Sequence, residues 1–267
     1  MPPEARPGVQ ELDISLRVRA RAALSELSLQ PGSRVGDLGC GTGWFSAELA
    51  RGGYEVMCVD ISQENLDELQ RIYPDLVGQR LITPIQGDLT ELPLDSGTLD
   101  GVCCMEVLEH VENDRRALRE IVRVLKPGGA LVLSVPNRLA PLPLVERLGL
   151  ESVHDRPGPE RHVRPGYEAG ELTTLLSEAG FDTRSVSGVG GMLYRATTGL
   201  VSLAHLGYRR ARGQPTWTWA DVEQDAASLP LRLYRAVFPG LLFLAELERG
   251  PKIERCSALV VTAVKPQ

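Results

Sequence analysis

The sequence has five cysteines but no C-x-x-C pair, no internal repeat and no low-complexity tract. It also lacks a basic leader with an apolar core and any apolar run of about 18 residues. With no paired spacing, Cys40, Cys58, Cys103, Cys104 and Cys256 read as buried free thiols of a reducing compartment. The missing run excludes a membrane span, and the missing leader points away from secretion, so we expect a cytoplasmic chain. Positive charge is short as well. Lys and Arg number 29 against 35 Asp and Glu, for a net charge of -6 and a pI near 5.4. That balance argues against nucleic acid or an anionic membrane as a partner, and Arg209, Arg210 and Arg212 make only a short basic patch.

What the chain does have is length, 267 residues with 43% hydrophobic, enough for one large domain or a domain plus a cap. Its most informative stretch is R-V-G-D-L-G-C-G-T-G-W, Arg34 to Trp44. Gly39, Gly41 and Gly43 stand at every second position between a strand-like and a helix-like run. Such a turn lets the backbone pass close beneath a ligand, with the N–H groups of the next helix aimed at it. The spacing is not that of a dinucleotide turn, whose third glycine would fall on Trp44, and no lysine follows as a phosphate loop requires. Asp37, two residues before the first glycine, suits a cationic or amino-bearing ligand and would repel a pyrophosphate.

The rest of the chain reads as alternating strands and helices. A helix is predicted over Glu11 to Leu27, after ten loose Pro-rich residues, with strands over 34–38, 54–59, 81–86, 99–105 and 130–135. Asp60 closes the second strand 21 residues after Gly39, where a nucleotide-binding α/β fold sets an acid on the ribose diol. A competing role is support of the helix that starts near Ser62. Asp88, at the tip of the third strand, suits an exocyclic amine, with Leu89 covering a ring. L-K-P-G-G, Leu125 to Gly129, ends the helix over Asp114 to Leu125. The alternation predicts a Rossmann-like, doubly wound α/β sheet, mostly parallel.

From Arg34 to Asn137 these motifs, with E-V-L-E-H at Glu106 to His110, resemble the class I S-adenosylmethionine-dependent methyltransferases. The resemblance is to the small-molecule group often called type 11, which includes quinone O-methyltransferases. It departs at Gly36, where the family commonly has a larger apolar residue. The resemblance implies S-adenosylmethionine as cofactor. It places Asp37, Gly39 and Gly41 on the methionine and ribose side, Met105 and Glu106 along the methionine arm, Asp60 at the ribose and Asp88 with Leu89 at the adenine, and counts Ile61 among the cofactor-binding residues. It also implies an antiparallel C-terminal hairpin, built here from 181–189 and 256–264.

The expected organisation follows. Residues 1–30 form an N-terminal helix, 31–138 the donor-binding core, 139–167 an irregular active-site loop, and 168–190 with 252–267 the completion of the sheet. Residues 191–251 form a helical cap, broken by Gly213, Pro215, Pro230 and Pro239 and carrying Trp217, Trp219, Tyr194, Tyr208, Tyr234, Phe238 and Phe243. Those rings suit an apolar or aromatic small-molecule acceptor, or simply pack the cap itself.

Methyl transfer from a sulfonium annihilates charge, so the protein chiefly aligns the reactants and excludes water. A base is required only where the acceptor must lose a proton. His162 and His110 are the catalytic candidates. Glu106, Glu109 and His110 share a helical face and form a candidate Mg2+ site, similar to the E-x-x-E-H pattern of quinone-pathway and small-RNA methyltransferases. His162 is a further ligand or a base, His154 a weaker candidate. The expected activity is O-methylation of a phenolic or natural-product hydroxyl. N- or C-methylation, RNA 2′-O-methylation and a non-catalytic donor-binding subunit are the alternatives. No nucleic acid and no membrane are expected as partners.

Overall fold

The computed structural model describes residues 14–141, 162–211, 229–247 and 253–267. The predicted loose N-terminus, most of the 139–167 loop with His154, and Gly213, Pro215, Trp217 and Trp219 lie outside these residues.

The chain opens with α1 (Ile14–Glu26) and then alternates β1 (Arg34–Leu38), α2 (Trp44–Arg51), β2 (Glu55–Asp60), α3 (Gln63–Ile72), α4 (Pro74–Gly78), β3 (Ile82–Gln86) and β4 (Leu99–Met105). It continues through α5 (Asp114–Val124), β5 (Leu125–Pro136), α6 (Ala169–Ala179), β6 (Asp182–Val189), α7 (Met192–Ala211), α8 (Leu229–Glu246) and β7 (Ala258–Val264). The sheet has seven strands in the order β3-β2-β1-β4-β5-β7-β6. β1 to β5 pair in parallel, whereas β7 runs antiparallel to both β5 and β6, as the family hairpin implied.

Both faces of the sheet are buried, and alternate residues of each strand serve opposite faces. Leu38, Val59, Val102, Cys104, Leu131 and Leu133 join Leu118 and Ile121 of α5 and Leu172 and Leu176 of α6 in one core cluster. Val35, Val56, Cys58, Cys103 and Val132 join Ala20 and Ala23 of α1 and Phe45 and Leu49 of α2 in the other. This explains why the strands read as near-continuous apolar runs. It also gives the three-layer arrangement. Gly36 has a packing reason of its own, because a Cβ there would lie 2.7 Å from the Leu99 side chain.

Two predicted boundaries are corrected. Leu125 to Gly129 does end α5, but the same residues already belong to β5, with Leu125 paired to Leu99 before the register shifts at Gly101. Pro239 does not break a helix: α8 runs through it. Its ring lies on the exposed side, where the carbonyl it leaves without a donor can be hydrated.

α7 and α8 pack on each other, and α8 packs on α1. Ile14, Tyr194, Phe238, Leu242 and Ala245 form a small core there, so two of the cap's aromatic rings fill its own interior. The outer sides are different. Met192, Leu193 and Leu200 of α7 and Val237, Phe243 and Leu244 of α8 are exposed.

Candidate active site

The glycine turn is pinned to the end of β2. Gly39 and Cys40 both donate their N–H to the carbonyl of Val59, at 2.7 and 3.1 Å, and Gly41 N–H donates to Asp60 Oδ2 at 2.8 Å. Gly39 sits at φ +76 with the Val107 side chain where a Cβ would be, so only glycine fits. Gly41 has nothing within 4 Å of its Cβ direction, which leaves the turn open on that side. Asp60, 6% exposed, also accepts from Ser62 N–H at 2.9 Å and from the Asn65 amide at 3.3 Å through Oδ1. The capping of α3 belongs to Ser62, whose side chain accepts from Asn65 N–H. Asp60 is thus the tie between glycine turn and strand tip.

Asp37 is buried at 2% exposure and accepts a 2.6 Å hydrogen bond from Ser46 Oγ. Burial pushes its pKa up to about 7; the Ser46 bond opposes this and the charge of Asp60 adds to it. At the next strand tips, Ile61 is 65% exposed, a bare aliphatic surface beside Asp60. Asp88 is exposed and its Oδ1 accepts from Thr90 N–H and Oγ1 at 2.7 and 2.8 Å. Leu89 was expected to cover a ring, but its side chain is buried in the main core cluster.

After β4 the backbone turns sharply. Met105 is half-buried, and Glu106 adopts φ +58, a left-handed conformation unusual for a residue with a Cβ. Glu106 N–H donates to Ser134 O at 2.9 Å, and its Oε1 accepts from Ser134 Oγ at 2.7 Å. Its Oε2 lies 3.8 Å from the Arg19 guanidinium of α1. Leu108 to His110 then form one 3-10 turn. Glu109 is 1% exposed, and neither carboxylate oxygen has a hydrogen-bond partner among the described residues. Burial, then the charge of Glu106, raises its pKa well above the carboxylate range.

The returning loop closes on this turn. Val163 N–H donates to Glu109 O at 3.0 Å, Arg164 donates to the carbonyls of Val111 and Glu112 and pairs with Asp114, and Tyr167 Oη donates to Asp114 at 3.0 Å. His162 is thereby set edge-on to His110, ring centroids 4.6 Å apart at 87°. Ligand atoms of Glu109, His110 and His162 all lie within 4.8 Å of one another. Glu106, part of the expected metal set, is not in that group; it is turned to Ser134 and Arg19.

Residues 36–133 match the family model described as a methyltransferase domain. The ubiquinone biosynthesis O-methyltransferase of Xanthomonas axonopodis pv. citri (strain 306) is 34% identical over 168 residues, covering 62% of this chain and 69% of that protein. Its counterpart in Xanthomonas campestris pv. campestris (strain B100) is 33% identical over 180 residues, 66% of this chain and 70% of that protein. The chain belongs to the class I S-adenosylmethionine-dependent methyltransferases. As a methyltransferase it takes its methyl group from S-adenosylmethionine, and the matched segment contains the glycine turn, Asp60, Asp88 and Glu106 to His110.

Solved structures agree on the fold of this methyltransferase. An S-adenosylmethionine-dependent methyltransferase from Mesorhizobium loti superposes with a TM-score of 0.57 at 21% identity, covering 94% of this chain and 100% of that one. The [4+2]-cyclase SpnF gives 0.61 at 21% identity, with 99% and 86% covered. A cyclase among such neighbours shows how little the fold says of the reaction.

Three residues of the methyltransferase site escaped sequence reasoning. Ser46 and Ser134 sit inside helix and strand patterns that account for them locally, and Arg19 lies 87 positions from the glutamate it faces. Only Ser46, third residue of α2 and so within its first turn, hydrogen-bonded back to Asp37, carried a readable signal.

Proposed function

We propose that this methyltransferase moves the methyl group of S-adenosylmethionine to a hydroxyl oxygen of a small molecule, phenolic or of natural-product type. In this reading the donor lies along the glycine turn. Asp37, Gly39 and Gly41 serve its methionine and ribose side, with Met105 and Glu106 along the methionine arm. Asp60 accepts from the ribose diol, the aliphatic face of Ile61 meets the purine, and Asp88 reads its amine. The observation that carries the choice of oxygen is the buried Glu109 beside His110 and His162. A buried carboxyl group with no hydrogen-bond partner among the described residues, beside two imidazoles, is a costly arrangement unless it handles a cation or a proton. The ubiquinone biosynthesis O-methyltransferases named above point to the same kind of acceptor.

The donor set fits a divalent cation held by Glu109, His110 and His162. One carboxylate and two imidazoles suit a first-row transition ion better than the Mg2+ expected from the sequence. When bound, the cation would supply Lewis acidity that lowers the pKa of an acceptor hydroxyl. The chain's own residues do the rest. The Val163 and Arg164 contacts hold His162 against the turn, and Ser134 and Arg19 orient Glu106. Without a cation, His162 takes the hydroxyl proton.

Glu109→Gln and His162→Ala test this. Both are expected to cut turnover on a catechol by about a hundredfold or more, while calorimetric affinity for S-adenosylhomocysteine changes little. Titration with Mn2+, Zn2+ and Mg2+ separates the two versions: heat from the wild type that is absent in Glu109→Gln supports the cation. Unchanged turnover in both variants overturns the reading.

A further inference from the structure

The 3-10 turn that carries Glu109 and His110 is gripped by the returning chain through its backbone. Of the five carbonyls from Leu108 to Glu112, four accept from residues 163–167. Tyr167 Oη reaches Leu108 O at 3.3 Å, and Val163 N–H reaches Glu109 O at 3.0 Å. Arg164 Nη2 reaches Val111 O and Glu112 O at 2.9 and 3.0 Å, while its Nη1 pairs with Asp114. Asp114 opens α5, is 9% exposed and also accepts from Tyr167 Oη. A carboxylate is favoured in the first turn of a helix. The Arg164 guanidinium lies 5.5 Å from the centre of the Tyr167 ring, which holds it from a further direction.

The grip is seated on the sheet. At the end of β5, Tyr167 N–H donates to Pro136 O at 2.9 Å and Arg138 N–H donates to Tyr167 O at 3.0 Å. Gly166 has φ +117, and a Cβ there would lie 2.3 Å from Pro136 O, so backbone meets backbone at this point. None of the hydrogen bonds that Arg164, Tyr167 and Asp114 make among the described residues reaches the glycine turn. A half-buried ion pair is a weak source of stability, because desolvation offsets its attraction. What a planar guanidinium supplies is direction: a fork that meets a carboxylate and carbonyls at fixed angles.

We propose that Arg164, seated on Asp114 and Tyr167, is the positioning residue of the acceptor site: it touches no reacting atom but sets His162 against Glu109 and His110. The proposal rests on the reading that those three side chains act on the acceptor. His110 and His162 stand 52 positions apart in the sequence, yet their ring centroids are 4.6 Å apart. Arg164 is two residues from one of them, and its Nη2 ends on the backbone one and two residues beyond the other. It is therefore a short mechanical link between the two rings. Misplacing a reacting group by about 1 Å costs up to about a hundredfold in rate. Loss of the fork thus acts on turnover and leaves donor affinity alone. Lysine at this position keeps the charge but has no planar fork.

Two measurements on the full chain test this, and one needs no turnover. With histidines labelled with carbon-13, NMR of the wild type is expected to show a nuclear Overhauser contact between the rings of His110 and His162. Arg164→Met is expected to lose that contact and Arg164→Lys to keep part of it. On a catechol, Arg164→Met is expected to lower kcat by about tenfold or more. Its KM for S-adenosylmethionine and its calorimetric affinity for S-adenosylhomocysteine should stay within about twofold of the wild type, and Arg164→Lys should recover part of kcat. Tyr167→Phe removes one donor from Asp114 and Leu108, is expected to show a smaller loss of the same kind, and decides the matter if Arg164→Met does not fold. An unchanged ring contact and kcat in these variants overturn the proposal, as does absence of the contact in the wild type. So does a loss of S-adenosylhomocysteine affinity as large as the loss in kcat, which marks a purely structural role. If the wild type methylates no catechol but Arg164→Met loses the ring contact as expected, Arg164 still positions His162, and it is the reading of the acceptor that falls.

Discussion

The glycine-turn half of this methyltransferase and its α1–α7–α8 layer obey different rules. In the first, each feature is held from several directions. Val59 accepts from two turn amides, Asp60 ties Gly41 to the strand tip, and Val107 fills the space beside Gly39. In the second, the interior is one small cluster and the described outer side of α8 is apolar. The lesson is that over-determined geometry belongs with the turn along which we propose the donor lies, where atoms must be placed, whereas the α1–α7–α8 layer is held by one small core.

The largest effect should come from the turn. Gly39→Ala sets a Cβ into the Val107 side chain at a backbone angle that disfavours it, so binding of S-adenosylhomocysteine by calorimetry is expected to fall by about a hundredfold or more. Retained affinity would mean that the turn gives way as readily as the cap surface.

The second contrast is in stability. Leu118→Ala, at a position fully buried in the main core, is expected to cost about 2–5 kcal/mol in chemical denaturation. Leu244→Ser, on the exposed side of α8, is expected to change stability by about 0.5 kcal/mol or less. Similar losses would show that Leu244 is covered in solution.

The third sharpens the electrostatics of the donor half. Asp37 has a pKa raised from 3.8 to about 7 in the folded chain. The folded state therefore binds this proton more tightly than the unfolded one. The resulting stability is present in full below about pH 4 and is lost as pH rises through about 7. The stability of wild type relative to Asp37→Asn should thus fall across that window, by up to about 4 kcal/mol. The comparison must be with the variant, because Glu68, Asp100 and Glu120, held below their usual range by Arg71, Lys126 and Arg123, slope the other way. A flat difference would show that Asp37 stays ionised.

Much of the first half was legible because its signals are local. Strands β1 to β4, the glycine spacing and Asp60 are punctuated within a few residues of themselves. The start of β5 was not, because K-P-G-G is a helix stop and a strand entry at once, and only pairing with Leu99 decides which residues join the sheet. Pro239 misled for a related reason, since a breaker on an exposed side can be tolerated where water completes the carbonyl. The meeting of Glu109, His110 and His162 depends on Arg164 and Tyr167 closing a loop across some 50 residues, which no spacing rule encodes. The left-handed Glu106 is equally a product of tertiary contact, through Ser134 and Arg19.

The measurement that tests the central claim most directly is product analysis by NMR after incubating the protein with a catechol and S-adenosylmethionine labelled with carbon-13 at the methyl group. The expected result is a labelled aryl methyl ether from the wild type that is lost in His162→Ala, while both proteins bind S-adenosylhomocysteine. Label on carbon or nitrogen of an acceptor panel, or full ether formation by His162→Ala, would contradict it.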